Sequence, residues 1–154
     1  MSLLLPSIFL AVASPVNTDT ANPILFPVCA KGCITPVEAV SMADQVAPKA
    51  GIYGDFELTV KVVGEDRGRF YLNSEEDYRD RNCLTIALSS KVAEAVADGG
   101  GLQELKRRFE GKTIVVSGMA KRVRIDFLTD GKPSGKYYYQ VHAFVGNPQQ
   151  ITFR

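Results

Sequence analysis

The chain has no tryptophan, a single histidine (His142), and three cysteines in 154 residues. It also lacks any uninterrupted apolar run long enough to span a bilayer, which excludes an integral membrane helix. A lone histidine excludes a histidine-rich metal centre, and three cysteines are too few for a disulfide-built scaffold. No excess of either charge sign is present. The net charge is +1, which excludes a binder that relies on a broadly basic surface. From residue 51 onward Lys and Arg number 16 against 14 Asp and Glu, so any basic surface must be local. What is present is ordinary: 45% hydrophobic and 23% charged residues are the proportions of one soluble globular domain.

The first twenty residues differ from the rest. Ser2 to Ala13 carries no charge and is mostly Leu, Ile, Phe, Ala and Val. Ala11-Val12-Ala13 before Ser14 fits the small-residue pattern cut by signal peptidases. Residues 1–20 therefore read as a secretory signal that lacks its basic n-region, a defect that a misassigned start would explain, or else as a disordered N-terminus. Export to the periplasm or medium is the expectation, with residues 21–52 as an N-terminal extension and 53–154 as the domain proper. Cys29 and Cys33 stand four apart in sequence. They are read either as a structural disulfide, which an oxidising compartment permits, or as free thiols. A metal site would need further ligands that nothing nearby supplies. Cys83 lies in an apolar-alternating run and reads as a small core residue.

Thr35-Pro36-Val37-Glu38 is a helix start: Thr35 caps, Pro36 suits the first turn, and Glu38 completes a capping box. The helix should run to about Val46 and stop before Pro48, with Val37, Val40 and Ala43 or Ala47 on its apolar face. From Phe56 the period changes to two. Phe56, Leu58, Val60 and Val62 face one way, as in a half-buried strand. Gly64–Gly68 reads as a turn, followed by strands over Arg69–Asn73 and Cys83–Leu88. Ser89 or Ser90 caps a helix beginning at Lys91, Asp98-Gly99-Gly100-Gly101 breaks it, and a second helical piece runs from Leu102 to Phe109. Lys112 to Phe127 is a long strand with Ile114, Val116, Val123 and Ile125 expected inward and a bend at Gly118. Thr129–Lys136 reads as a loop, Lys136 to Val145 as a fifth strand, and Ile151-Thr152-Phe153 as a short closing one. Three meandering strands, a helical connection and two further strands make the order of a five-stranded OB-type closed barrel, all-β with helices. An SH3-like barrel accommodates a long helical connection less well.

The segments Arg69-Phe70-Tyr71-Leu72-Asn73-Ser74-Glu75 with Asp77-Tyr78-Arg79-Asp80, Phe109-Glu110-Gly111-Lys112-Thr113-Ile114-Val115-Val116-Ser117-Gly118, and Gly135-Lys136-Tyr137-Tyr138-Tyr139 resemble the OB-fold superfamily. In particular they are similar to small exported bacterial OB-fold proteins of unassigned activity. None of these segments is a catalytic signature, so the resemblance implies fold and export rather than chemistry.

Such folds bind along their second and third strands, rimmed by the loops joining strands one to two and four to five. That geometry applied here nominates Arg67, Arg69, Tyr71, Lys132, Lys136 and Tyr138 as ligand-binding residues. The cations would follow a charged backbone and the tyrosines would stack or wall the groove. The plain structural alternative is that the tyrosines cover barrel ends while the cations solubilise loops. Lys121-Arg122-Val123-Arg124 is either a phosphate-binding ridge or an edge kept from pairing by charge, with Asp126 and Asp130 placed to neutralise it. The Glu75–Asp80 segment lacks the glycine and final glutamate of an EF-hand loop, and Arg79 and Arg81 make it a salt-bridged hairpin. No Ser, Cys or His has an activating partner at motif spacing, so no catalytic residue, metal or cofactor is expected. The functional expectation is an exported binding module for single-stranded nucleic acid or another anionic polymer. The alternative is an envelope protein–protein module docking through its N-terminal helix. A metal-dependent nuclease of the staphylococcal type is a minor third, whose motif order the chain does not reproduce.

Overall fold

A computed structural model describes Cys29 and residues 32–154; the expected signal segment lies outside the described residues. Helix α1 (Pro36–Val46) begins as its sequence dictates. The Thr35 hydroxyl accepts from the Glu38 N–H, and the Glu38 carboxylate accepts from the Thr35 N–H at 2.8 Å. Its buried face is Ala39 and Ala43, whereas Val37 is 57% exposed. The expected face is met in part, since Ala43 is buried and Val40 packs half-buried against the core; Ala39 takes the place of Val37 because two small residues four apart let the helix axis approach the sheet closely, which a valine would prevent.

Seven strands follow: β1 (Ile52–Thr59), β2 (Val62–Asp66), β3 (Arg69–Asn73), β4 (Leu84–Leu88), β5 (Thr113–Thr129), β6 (Lys132–Val145) and β7 (Ile151–Phe153). Helices α2 (Ser90–Val96) and α3 (Gly101–Phe109) connect β4 to β5, with the Ser89 side chain capping α2. The strands form one sheet in the order β1-β5-β6-β4-β3-β2, with β7 added against β5. All neighbours are antiparallel except β4 and β6. The sheet is therefore not the closed five-stranded barrel expected, because its end strands β1 and β2 do not pair with each other. They are two halves of the single first strand read from the sequence, interrupted at Val60–Lys61. At that joint the Val60 N–H donates to the Lys112 carbonyl (2.9 Å) and the Lys61 N–H to the Asn73 carbonyl (2.9 Å). The chain thus turns from one edge of the sheet to the other while keeping its backbone groups satisfied. The inward parity shifts with it: Phe56, Leu58 and Val60 are buried, but the next buried residue is Val63 rather than Val62. The topology is compatible with an OB-like β-rich domain.

The core lies between the curled sheet and the helices, with Phe56, Phe109, Leu72, Leu84, Ile86, Leu88, Leu105 and Ile114 wholly buried. Phe109 of α3 stacks on Phe153 of β7 at 5.1 Å between ring centroids, so the last strand covers the helical connection.

Two tight turns close the hairpins β2–β3 and β5–β6. Arg67 and Gly68 join β2 to β3, and Asp130 and Gly131 join β5 to β6; all four have positive φ, as a two-residue hairpin of matching twist requires. The expected Thr129–Lys136 loop is accordingly a tight turn followed by strand. Pairing of β1 with β5 ends at Ala120, and pairing of β4 with β6 ends at Val141. Beyond these points residues 121–129 and 132–140 form a two-stranded arm about 30 Å long, irregular where its register shifts between Asp126 and Leu128. The inward face of β5 (Ile114, Val116, Ala120) continues along the arm as Arg122 and Arg124. Val123 and Ile125, expected inward, lie on the opposite face because alternation persists after the core has ended.

Candidate functional site

A cleft of about 480 Å³ opens on the outer face of β3, β4 and β6, between the β2–β3 turn and the base of the arm. Its floor is set by register. Asn73 pairs with Thr85, and Thr85 with His142, so three polar side chains from three strands stand in one row. All three are buried, with exposures of 5%, 2% and 6%. The Thr85 hydroxyl donates to Asn73 Oδ1 at 2.9 Å. The Gln140 amide donates from Nε2 to the Tyr78 carbonyl at 2.6 Å, which turns its Oε1 toward His142 Nε2 at 2.8 Å. His142 consequently carries its proton on Nε2 and keeps Nδ1 as an acceptor. Burial depresses the imidazole to a pKa of about 4, so the floor is uncharged at neutral pH.

The walls are aromatic. Tyr71 lies with its ring 5.8 Å from that of His142, Tyr138 packs against Phe127 at 5.2 Å, and Tyr78 stands at the rim, 47% exposed, with Arg79 5.2 Å from its ring centre. Burial raises the Tyr138 hydroxyl above its ordinary pKa, with the neighbouring Tyr78 adding to it. The charged residues that line the cleft are both acidic, Glu65 and Asp66 at the β2–β3 lip.

The sequence-nominated residues divide into two sets. Tyr71 and Tyr138 line the cleft. Arg69 alternates with Tyr71 on β3, so it shares that face, yet it does not line the cavity. Arg67 sits in the turn, strongly exposed and 3.9 Å from Asp66, and Lys132 and Lys136 are exposed near the tip of the arm. The structure therefore does not gather the expected cations around the expected aromatics. Asn73, Tyr78, Thr85, Gln140 and His142 were not nominated. The signal for one pair was the alternation of Tyr138, Gln140 and His142, which puts the histidine on the face of a nominated tyrosine.

The other sequence features have local partners. In the Glu75–Asp80 segment, Glu75 pairs with Lys61 at 2.6 Å, Asp77 accepts from the Arg79 backbone and side chain, and Asp80 accepts from the Asn82 N–H. Arg122 lies 3.5 Å from Asp44 of α1 and over the Tyr139 ring. Arg124 pairs with Asp126 at 2.7 Å and lies over Tyr137. Cys29 and Cys33 form a disulfide, flanked by the Arg154 guanidinium, which is held to Glu57 at 2.9 Å. Both sulfurs being bonded, Cys29, Cys33 and Glu57 do not serve as a metal-ligand set although their donor atoms lie within 4.8 Å of one another. Cys83 is free and buried. No helix among the described residues is long and apolar enough to cross a membrane.

No family model matches the chain and no curated protein matches it. Among solved structures it is similar to the aspartyl tRNA synthetase from Entamoeba histolytica, with a TM-score of 0.42 and 11% identity over 72% of this chain and 20% of that one. It is also similar to the small single-stranded DNA-binding protein from Streptomyces coelicolor, with a TM-score of 0.37 and 17% identity over 68% of this chain and 94% of that one. The chain thus spans about a fifth of the length of the synthetase. Likenesses this loose assign neither a ligand nor an activity.

Proposed function

We propose that the chain is an OB-like binding module, exported as its N-terminal sequence suggests, that holds a single-stranded nucleic acid in the cleft and performs no chemistry on it. One observation carries this reading: three tyrosines, Tyr71, Tyr78 and Tyr138, surround a buried, uncharged polar floor. Flat rings give successive bases a surface to stack on, irrespective of sequence. Beneath them the Asn73 amide and His142 Nδ1 offer a donor and an acceptor to a base edge. The cations that share this side, Arg69 and Arg79, stand at the rim, where they would meet phosphates rather than bases.

The reading differs from the sequence expectation in its electrostatics. With acidic Glu65 and Asp66 on the lip, few phosphates are neutralised, so affinity should fall only gently with salt. Fluorescence anisotropy of labelled single-stranded DNA and RNA, from about 20 to 200 mM salt, tests it. Saturable binding is expected, weakened about 5- to 150-fold by Tyr71→Ala or Tyr138→Ala, the measured range for loss of one stacking ring. Absence of binding at the lowest salt, or binding indifferent to both substitutions, overturns it.

A second reading is favoured by Glu65 and Asp66 themselves. Carboxylates beside tyrosines and amides are the groups that hold sugar hydroxyls, and OB-type faces also bind oligosaccharides. A neutral oligosaccharide that binds where single-stranded DNA does not would establish this reading instead.

A further inference from the structure

The arm is the least explained part of the molecule. On the edge of β5 that β1 leaves at Ala120, no strand among the described residues pairs with residues 121–129. Phe127 and Leu128 are exposed there, at 42% and 45%. An open edge normally invites pairing, and charge is the usual defence against it. Here the charges are arranged differently. Read antiparallel to itself about Ile125, the segment Lys121-Arg122-Val123-Arg124-Ile125-Asp126-Phe127-Leu128-Thr129 is self-complementary over its central residues 123–127, with Arg122 opposite Leu128 and Lys121 opposite Thr129 beyond them. Ile125 meets Ile125 once, on the axis, while Val123 meets Phe127 and Arg124 meets Asp126 twice each. Alternation puts the apolar pairs on the outer face and the ion pairs on the inner one.

We infer that the free edge of β5 is a homodimer interface in which the arms of two copies pair antiparallel across a two-fold axis at Ile125. The charge pattern selects a second copy of this chain over an unrelated strand: Arg124 and Asp126, paired with each other within one arm at 2.7 Å, would each also face the opposite charge of the other arm, so that no like charges are opposed. Such isologous contacts are the commonest way identical chains associate. A foreign strand would match the backbone of this edge but would match its side chains only by coincidence. The geometry is also open: a two-fold at the middle of an arm about 30 Å long leaves the two domains at opposite ends, clear of each other. Pairing would cover Phe127 and Leu128 and give residues 123–127 the third strand that a hairpin needs for stability of its own. It would also lay Val123 and Phe127 of one copy alongside the cleft wall formed by Ile125 and Tyr138 of the other.

The interface is small, so the dimer should be reversible, and it is tested on the whole chain. Sedimentation velocity from about 1 to 200 µM should show a monomer–dimer equilibrium. Arg124→Asp alone, or Asp126→Arg alone, sets like charges opposite each other and should weaken dimerisation at least about tenfold, while the double swap restores it. Ile125→Cys should cross-link to its own mate under mild oxidation, whereas Lys121→Cys, at the far end of the pairing, should not. Cys83 is buried and provides the uncrosslinked background in the unsubstituted chain. A monomer at every concentration, a dimer indifferent to the single charge reversals, or cross-linking equal at positions 121 and 125 would each overturn the inference. Because the readout is mass and not ligand binding, its outcome is independent of what the cleft holds.

Discussion

The same two strands behave differently at their two ends. Over Ile114–Ala120, β5 has neighbours on both sides, and its inward residues Ile114, Val116 and Ala120 are wholly buried. Over the next nine residues of β5, it and β6 have only each other, and Phe127, Leu128, Tyr137 and Tyr139 are all more than 40% exposed. On the inward face the change occurs at a single step, from Ala120 to Arg122. Below it the sheet is held by a hydrophobic core. Above it two guanidinium–tyrosine stacks, Arg122 on Tyr139 and Arg124 on Tyr137, at 4.3 and 4.1 Å, take over. Burial and exposure are therefore segregated along one hairpin: the body fixes the register, and the arm uses the register to place exposed side chains.

The comparison breaks if the two regions respond alike to truncation. Phe56→Ala removes a wholly buried ring from the centre of the core and should cost about 3–5 kcal/mol. Tyr137→Ala removes a ring that is 49% exposed and stacked on one cation, and should cost less than about 1 kcal/mol. Denaturant unfolding of both variants measures the ratio. Comparable losses would mean that the arm belongs to the same cooperative unit as the core.

A smaller effect is expected at the border between them, where His142 lies buried in the cleft floor. Its folded pKa of about 4 lies below the ordinary value of 6.5, so the unfolded chain binds the proton more readily. Stability conferred by the neutral imidazole is complete above pH 6.5 and falls as pH drops toward 4, at up to about 1.4 kcal/mol per pH unit. Unfolding free energies of wild type and His142→Gln at pH 7 and pH 4.5 isolate this contribution. The wild type should lose more stability than the variant over that interval. Parallel losses would place the acid sensitivity elsewhere.

These effects also show which features the sequence made legible. Helix α1 was, because a capping box is a contact among Thr35, Pro36 and Glu38, within one turn. Its buried face was legible only in part, since Val40 and Ala43 pack inward as expected but the sheet takes Ala39 in place of Val37. The β2–β3 turn was legible in outline from its glycines. The Asp130-Gly131 turn was obscured by Pro133 and Gly135, which suggested a longer loop but lie in or beside the irregular stretch of β6. Two wall residues of the cleft, Tyr71 and Tyr138, followed from the groove expected of an OB-type fold together with strand alternation. The floor did not, because Asn73, Thr85 and His142 become neighbours only once a parallel pairing of β4 with β6 sets their register. A histidine 57 residues from its row-mate Thr85 gives no local sign of that contact.

The smallest expected effect separates charge in the sequence from charge at the site. Lys132 and Lys136 were nominated because an OB-type rim needs cations, yet both lie toward the tip of the arm and neither lines the cleft. Both side chains are exposed and neither lines the cleft, so at 0.1 M salt, where the Debye length is about 10 Å, their attraction for a strand seated on Tyr71 is weakened by screening. Lys132→Ala with Lys136→Ala should therefore shift affinity for single-stranded DNA by less than about threefold at that ionic strength and change the salt slope by less than 1. Anisotropy titrations at several salt concentrations measure both. A loss of tenfold or more, with a slope reduced by about 2, would show that the ligand runs the length of the arm, and the division between a supporting body and an independent arm would have to be redrawn around it.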